Sequence, residues 1–203
     1  MAFKPATREQ LKLRMALDGP AGAGKTYTAL RFAFALAGKE GRVAVIDTEN
    51  RSASKYTGEA PDGFPWQFDV AELSTYSPNV YTQYIRTAGQ AGYDVLVIDS
   101  LSHAWSGAGG VLSKVDAQNK GFSGWKEVTP LHNALVEAIL SSPCHIIATM
   151  RTKIEYAVET EKDGKLKVTK IGTKPIQREG VEYEFDVVCD LSADHLLSVS
   201  KTR

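Results

Sequence analysis

Eight consecutive residues, Gly19-Pro20-Ala21-Gly22-Ala23-Gly24-Lys25-Thr26, constrain this chain more than any others. They fit the spacing G-x-x-x-x-G-K-[ST], the phosphate-binding P-loop, in which glycines admit positive φ and turn backbone N–H groups into a concave nest facing an anion. Lys25 adds a full positive charge for β- and γ-phosphates, and the Thr26 hydroxyl suits Mg²⁺. A helix starting there would aim its positive dipole end at the same phosphates. Tyr27, next in the chain, is assigned to the same site. The expected ligands are a nucleoside triphosphate, taken as ATP, and Mg²⁺.

The flanking residues come in the order that mechanism requires. Leu11 to Leu17 alternates apolar and polar at period two, which predicts a half-buried strand. Leu30, Ala33, Phe34 and Ala37 share one helical face, so a helix is expected over 26–37, ending at Gly38. Val43-Ala44-Val45-Ile46-Asp47 is a nearly continuous apolar run of the kind found in parallel strands buried on both faces. Tyr93 to Ser100 is another, and it ends in Asp99-Ser100. A carboxylate at the C-terminal end of such a strand lies where α/β sheets bind ligands, so Asp99 joins Thr26 as a magnesium ligand.

Weaker signals fill in the rest. Thr48 to Pro65 reads as a long polar loop, Trp66 to Val70 as a short strand, and Ser77-Pro78 as the start of a helix running to Gly89. The glycine-rich stretch 106–126 reads as a mobile loop with a short helix over 110–118. Thr129-Pro130 then opens a helix to Ser141, with Leu131, Leu135, Ile139 and Leu140 in one stripe. Cys144 to Met150 is a core strand, Ile154 to Ile171 a β-hairpin about Asp163-Gly164, and Val181 to Leu191 and Leu196 to Ser200 are closing strands. The fold class is α/β: a mostly parallel central sheet flanked by helices, with a C-terminal β-hairpin and antiparallel strands, residues 1–203 forming a single domain.

Composition excludes several alternatives. At 203 residues, 43% hydrophobic and 24% charged, the chain suits one globular domain with a substantial core. Its 24 basic and 24 acidic residues cancel, so there is no whole-molecule pull on nucleic acid or membrane, and any DNA contact must come from local basic segments. Met1 to Gln10 is polar and unlike a signal peptide, and no apolar run approaches the ~20 residues needed to cross a bilayer. A cytoplasmic protein without membrane insertion is expected. Cys144 and Cys189 sit in apolar runs as buried thiols, and four scattered histidines make no zinc site.

The P-loop, Val45-Ile46-Asp47-Thr48-Glu49 and Val97-Ile98-Asp99-Ser100 together resemble the RecA-like recombinase and hexameric-helicase ATPases. Met150-Arg151-Thr152-Lys153 and the segment from Thr173 to Asp186 look more narrowly like phage-encoded, single-domain RecA-core ATPases, which are nucleotide-binding or single-strand annealing proteins. The resemblance implies a RecA-like P-loop NTPase core. It also implies that Glu49 polarises the attacking water, although Asp47 stands two residues earlier on the strand. Tyr56 matches an aromatic that stacks on adenine, a position that packing could equally explain. Thr149 stands where recombinases commonly carry a γ-phosphate-sensing Gln, and Arg151 is the alternative for that role. Lys201-Thr202-Arg203 looks like the Lys-x-Arg pair that hexameric ATPases insert into a neighbouring subunit's site, and reads otherwise as a solvated basic segment. With Lys25 and Glu49, Lys201 and Arg203 complete the implied catalytic set.

The function expected is an ATPase that self-associates head-to-tail, as ring or filament, and acts on single-stranded DNA in phage-type recombination or annealing, in the cytoplasm of a bacterial host. Lys114, Lys120 and Lys126 with Phe122 and Trp125, and Lys153, Lys162, Lys165, Lys167 and Lys170, match in order the DNA-binding loops of RecA-like proteins. Glu155, Glu159 and Glu161 favour the opposing view that the hairpin lysines only keep an edge soluble. A hexameric helicase-type core and a nucleotide switch without DNA binding are the alternatives, and only the switch has no need of Glu49.

Overall fold

The computed structural model describes residues 11–59, 61, 63–118, 121–160 and 166–203. Eight strands form its sheet: β1 (Arg14–Gly19), β2 (Val43–Asp47), β3 (Asp69–Glu72), β4 (Val95–Asp99), β5 (His145–Thr160), β6 (Leu166–Pro175), β7 (Val187–Leu191) and β8 (Leu197–Thr202). The lateral order is β3-β2-β4-β5-β1-β7-β8, and β6 pairs with β5 off that path. The pairings among β1 to β5 and β7 are parallel, whereas β6 and β8 run antiparallel to β5 and β7. Parallel neighbours need long crossovers. Helices α1 (Lys25–Ala37), α2 (Pro78–Gln90), α3 (Ser102–Ser106), α4 (Val111–Ala117) and α5 (Gly124–Ser141) lie in those connections.

Side-chain parity divides the core into two layers. Leu17, Val45, Val97 and Ile147 face α1 and pack with Ala29, Leu30 and Ala33. Ala16, Ile46, Leu96, Ile98 and Ile146 face the other way, onto Tyr81 and Ile85 of α2 and Leu135 and Ile139 of α5. Because a strand alternates faces with every residue, Asp47, Asp99 and Thr149 continue the α1 face, two residues beyond Val45, Val97 and Ile147. Arg151 continues it again. The apolar runs thus place four polar side chains beside the start of α1.

Several expected boundaries are corrected. The first strand runs from Arg14 to Gly19 and is buried on both faces, not half-buried over Leu11 to Leu17. What looked like an exposed charge, Arg14, is buried and donates to the carbonyls of Leu140 and Cys144 at 3.0 and 2.7 Å, closing the chain where α5 turns into β5. The third strand begins at Asp69, because Trp66 leaves the sheet to fill the α1 face, where it is 2% exposed and stacks on Phe34 at 5.4 Å.

Stretch 106–126 is mostly helical, formed by the end of α3, α4, a 3₁₀ turn at Gly121–Ser123 and the first residues of α5. Helix α5 therefore starts at Gly124 and runs through Pro130, whose missing N–H costs about 3 kcal/mol in a helix interior. Its buried face, Val128, His132, Leu135, Ala138 and Ile139, offsets that cost. Ser77 has the extended backbone of an N-cap but makes no side-chain cap bond, so Pro78 in the first turn is the signal that counts there. The expected strand Val181 to Leu191 is broken by a 3₁₀ turn at Val181–Glu184 before β7. Strand β5 is continuous from the sheet into the β5–β6 ribbon, and the turn at Asp163-Gly164 lies outside the described residues. Among the described residues no helix is long and apolar enough to cross a membrane.

Candidate active site

The C-terminal ends of β1, β2 and β4 meet the middle of β5, at Thr149 to Arg151, beside the phosphate loop. Gly24, at φ 89°, starts α1 with no side-chain cap and no acidic residue in the first turn, so the helix presents its N-terminal N–H groups to an anion. At Gly19 the constraint is space, since a Cβ there would stand 2.7 Å from the Leu191 carbonyl oxygen on β7. Lys25 Nζ donates to the carbonyls of Gly19 and Pro20 at 2.9 and 2.7 Å, which holds the ammonium across the loop's concavity. Burial lowers its pKa, and the carboxylates of Asp99 and Glu49 oppose that shift.

Thr26 Oγ1 donates to Asp99 Oδ2 at 2.6 Å, and Thr149 Oγ1 donates to Asp99 Oδ1. Asp99 is 1% exposed, and burial raises its pKa against the two threonine bonds. A buried carboxylate beside a hydroxyl is a hard oxygen pair that fits Mg²⁺, an ion that keeps several waters and takes its remaining ligands from phosphates. Among the described residues no three His, Cys, Asp or Glu side chains cluster into a self-sufficient metal site. Thr149 therefore serves Asp99, a role its place on β5 did not reveal.

The two carboxylates after β2 have separate work. Asp47 is buried, accepting the N–H of Glu49 at 2.7 Å on one oxygen and the N–H of Ala53 at 3.0 Å on the other, so it shapes the turn that presents Glu49. Thr48 ties that turn to β4: its N–H donates to the Asp99 carbonyl at 2.7 Å, and its hydroxyl accepts the Ser100 N–H at 2.8 Å. His103 Nδ1 meets the same hydroxyl at 2.7 Å while its ring stacks on Tyr76. Glu49 is free of such duties and meets Arg151, whose Nε donates to Oε1 at 2.8 Å and whose second guanidinium nitrogen donates to Oε2. Burial pushes the Glu49 pKa up, but the Arg151 bonds and charge outweigh it and hold the carboxyl below its ordinary range.

A cavity of about 750 Å³ adjoins the loop along α1, lined by residues that include Gly24, Tyr27, Arg31, Leu191 and His195. His195, on the β7–β8 turn at φ 61°, comes within 3.6 Å of where a Cβ on Gly24 would stand. The sequence offers no signal for this neighbour beyond a histidine in a short turn after a strand. Tyr56 lies on the other side of Tyr27, with ring centroids 5.6 Å apart, and belongs to the aromatic packing around Trp66. A larger cavity of about 980 Å³, lined in part by Phe34, Phe64, Trp66 and Phe68, lies at the far end of α1 from the phosphate loop, so size does not identify the site.

Asp18, next to the loop on β1, is 3% exposed, and its pKa is pushed up to about 7 by burial first and then by Asp190 and Glu182. An acid with a raised folded-state pKa binds more protons folded than unfolded between the two pKa values, so stability falls as pH rises through that window. Between pH 5 and 8 the wild type should lose on the order of 2 kcal/mol more stability than Asp18→Asn, given a shift from 3.8 to about 7. Urea denaturation of both proteins at the two pH values measures this. Parallel losses would remove the carboxyl as the cause.

Lys201 and Arg203 lie at the opposite end of the sheet. Lys201 Nζ donates to the carbonyls of Glu182, Tyr183 and Phe185, and Arg203 donates to Tyr183, so both brace the 3₁₀ turn before β7. Of the two aromatics matched to the DNA-binding loops, Trp125 packs on Trp105 at 5.8 Å, and the side chain of Phe122 is outside what is described. Lys153 is exposed at the root of the ribbon and Lys114 is partly buried on α4. Lys120, Lys162 and Lys165 lie outside the described residues, as do the side chains of Lys167 and Lys170.

A family model described as an AAA domain matches residues 11–202. No curated protein matches the chain.

Proposed function

We propose that this chain, which belongs to the AAA domain family, is an ATP hydrolase with Mg²⁺ as its metal and Glu49 as its water-orienting base. A nucleotide-binding domain of ATPase type follows from the family. The observation that carries the finer reading is the meeting of Lys25, Thr26, Asp99 and Glu49 at one edge of the sheet, on the α1 face. Lys25 and the α1 N-terminus would hold the β- and γ-phosphates, and Thr26 with Asp99 would hold the metal, which supplies charge neutralisation when bound. The cavity beside Tyr27, Arg31 and His195 would take the adenine ring of the nucleotide. In the reaction a water oxygen bonds to the γ-phosphorus as the bond to the β–γ bridging oxygen breaks, and Glu49 accepts the water proton.

The substrate assembly we infer is single-stranded DNA, in a RecA-like setting of recombination or annealing. The β5–β6 ribbon supports this. Over 152–175 its sequence carries six lysines against four carboxylates, an excess of positive charge that suits an anionic partner, although Lys174, directly opposite Lys153, is held by Glu179 at 3.2 Å. Self-association belongs to the same reading and is supported by edge strand β8, which leaves Leu197 and Val199 exposed. In a neighbour's site, Lys201 and Arg203 would first have to leave the carbonyls they now brace.

Single-stranded DNA should bind at low salt, more tightly with ATP, and changing Lys153, Lys167 and Lys170 together to Gln should flatten the slope of log K against log salt by about 2. A fluorescence titration measures both. No binding at low salt with ATP present would leave a nucleotide switch acting on another partner.

A further inference from the structure

The layer on the α1 face is incomplete at both edges of the sheet. At the β3 edge the cavity of about 980 Å³ opens between the C-terminal half of α1 and the segment leading into β3. Its floor is preformed. Phe34 stacks on Trp66 with planes 4° apart, Phe68 meets Phe34 edge-on, and the Trp66 carbonyl and N–H bond the Gly58 N–H and the Glu59 carbonyl at 2.9 and 2.8 Å. Phe64 forms one wall, 52% exposed, with Lys39 Nζ 4.4 Å above its ring. Arg42 lines the same cleft, and the carboxylate there, Asp69, is engaged by Arg42 at 3.8 Å and by the Tyr93 hydroxyl at 2.6 Å. The side chains lining the cleft therefore carry a net positive charge.

At the opposite edge it is cover that is missing. Leu197 pairs with Leu191 and Val199 with Cys189, and cross-strand partners share a face, so both continue the α1 face of the sheet. Leu191 and Cys189 are buried, whereas Val199 is 58% exposed and Leu196, just before β8, is 70% exposed. Together Leu196, Leu197 and Val199 make a convex apolar ridge. Asp194, exposed in the turn at its head, adds a negative charge.

We propose that the cleft at the β3 edge takes the β8 ridge of a second copy of this chain, with Leu196 and Val199 entering beside Phe64 and Asp194 meeting Lys39 and Arg42. This rests on the self-association inferred above and gives it two surfaces. A ridge against a cleft fills both, whereas two ridges face to face would leave the aromatic cleft empty and set one Asp194 near another. Because the two surfaces differ and lie at opposite edges of one sheet, the contact is head-to-tail, running on as a filament or closing as a ring according to the rotation between copies. It needs neither Lys201 nor Arg203, which keep the carbonyls they brace.

Sedimentation velocity over about 1–100 μM, a range in which small interfaces associate, tests the contact. Wild type should form species larger than a dimer as its concentration rises. A ridge variant, Leu196→Lys with Val199→Lys, and a cleft variant, Lys39→Glu with Phe64→Ser, should each associate at least about 10-fold more weakly. All four side chains are exposed, so thermal melts of both variants should match wild type. Mixed one to one, the two variants should give dimers and nothing larger, because one intact ridge and one intact cleft remain between them. A folded cleft variant that assembles like wild type, or a mixture that stays monomeric, would overturn this interface and leave self-association to another surface. A wild type monomeric throughout would overturn self-association as well, while the ATP hydrolase reading, checked separately by nucleotide binding, would stand.

Discussion

Lys25→Ala should reduce ATP affinity by at least about 10²-fold, the scale for removing one partner of a desolvated, hydrogen-bonded charge pair. The backbone nest would survive, because Gly24 and the uncapped start of α1 do not depend on the lysine side chain. What would be lost is the one ammonium that spans the loop, now held by the carbonyls of Gly19 and Pro20. Those two bonds contribute about 1 kcal/mol each to the folded state, so a slightly lower melting temperature should accompany the lost affinity. Calorimetry with Mg²⁺-ATP, beside a thermal melt, separates the two effects. Unchanged affinity in a folded variant would refute the phosphate-loop assignment, and with it the role given to Thr26.

The features legible in the sequence are those written into contiguous residues. The order of strand, glycine loop and helix could be read because Gly19 to Thr26 and the face of Leu30 and Ala33 are local patterns. The runs ending in Asp47 and Asp99 could be read because a strand buried on both faces has few ways to appear other than as continuous apolar residues. Arg14 escaped because a charge buried against the carbonyls after α5 looks, in sequence, like the polar half of an alternation. The helix through Pro130 escaped for a related reason: Pro marks a helix start far more often than a helix interior, and only the burial of Gly124 and Val128 extends α5 upstream of it.

The site divides along the same line. Lys25, Thr26 and Asp99 come from motifs, but the contact between Glu49 and Arg151 joins residues 102 positions apart. No periodicity encodes it. His195 reaches the phosphate loop only because β7 lies beside β1 and its turn therefore overhangs Gly24. Arg203 is the converse case, a residue that a motif singles out and that the fold uses for bracing a turn. Long-range register decides such contacts, and a single sequence carries register only through which face each residue must bury.

Glu49→Gln should slow ATP turnover by at least about 10²-fold with little change in stability, whereas Asp47→Asn should cost stability first. The two side chains are two residues apart, and their environments separate them. Asp47 is buried with both oxygens accepting backbone N–H groups, from Glu49 and from Ala53. An amide there keeps one acceptor and turns an NH₂ group against an N–H, so about 1–3 kcal/mol should be lost and the turn carrying Glu49 loosened. Glu49 by contrast gives up a partly exposed ion pair, worth at most about 1 kcal/mol, while its carboxylate is the group placed to take the water proton. Turnover under saturating ATP, paired with urea melts of both variants, should show a slow but stable Glu49→Gln and a less stable Asp47→Asn that retains partial activity. A fully stable, inactive Asp47→Asn beside an active Glu49→Gln would reverse the assignment and move the base onto β2 itself.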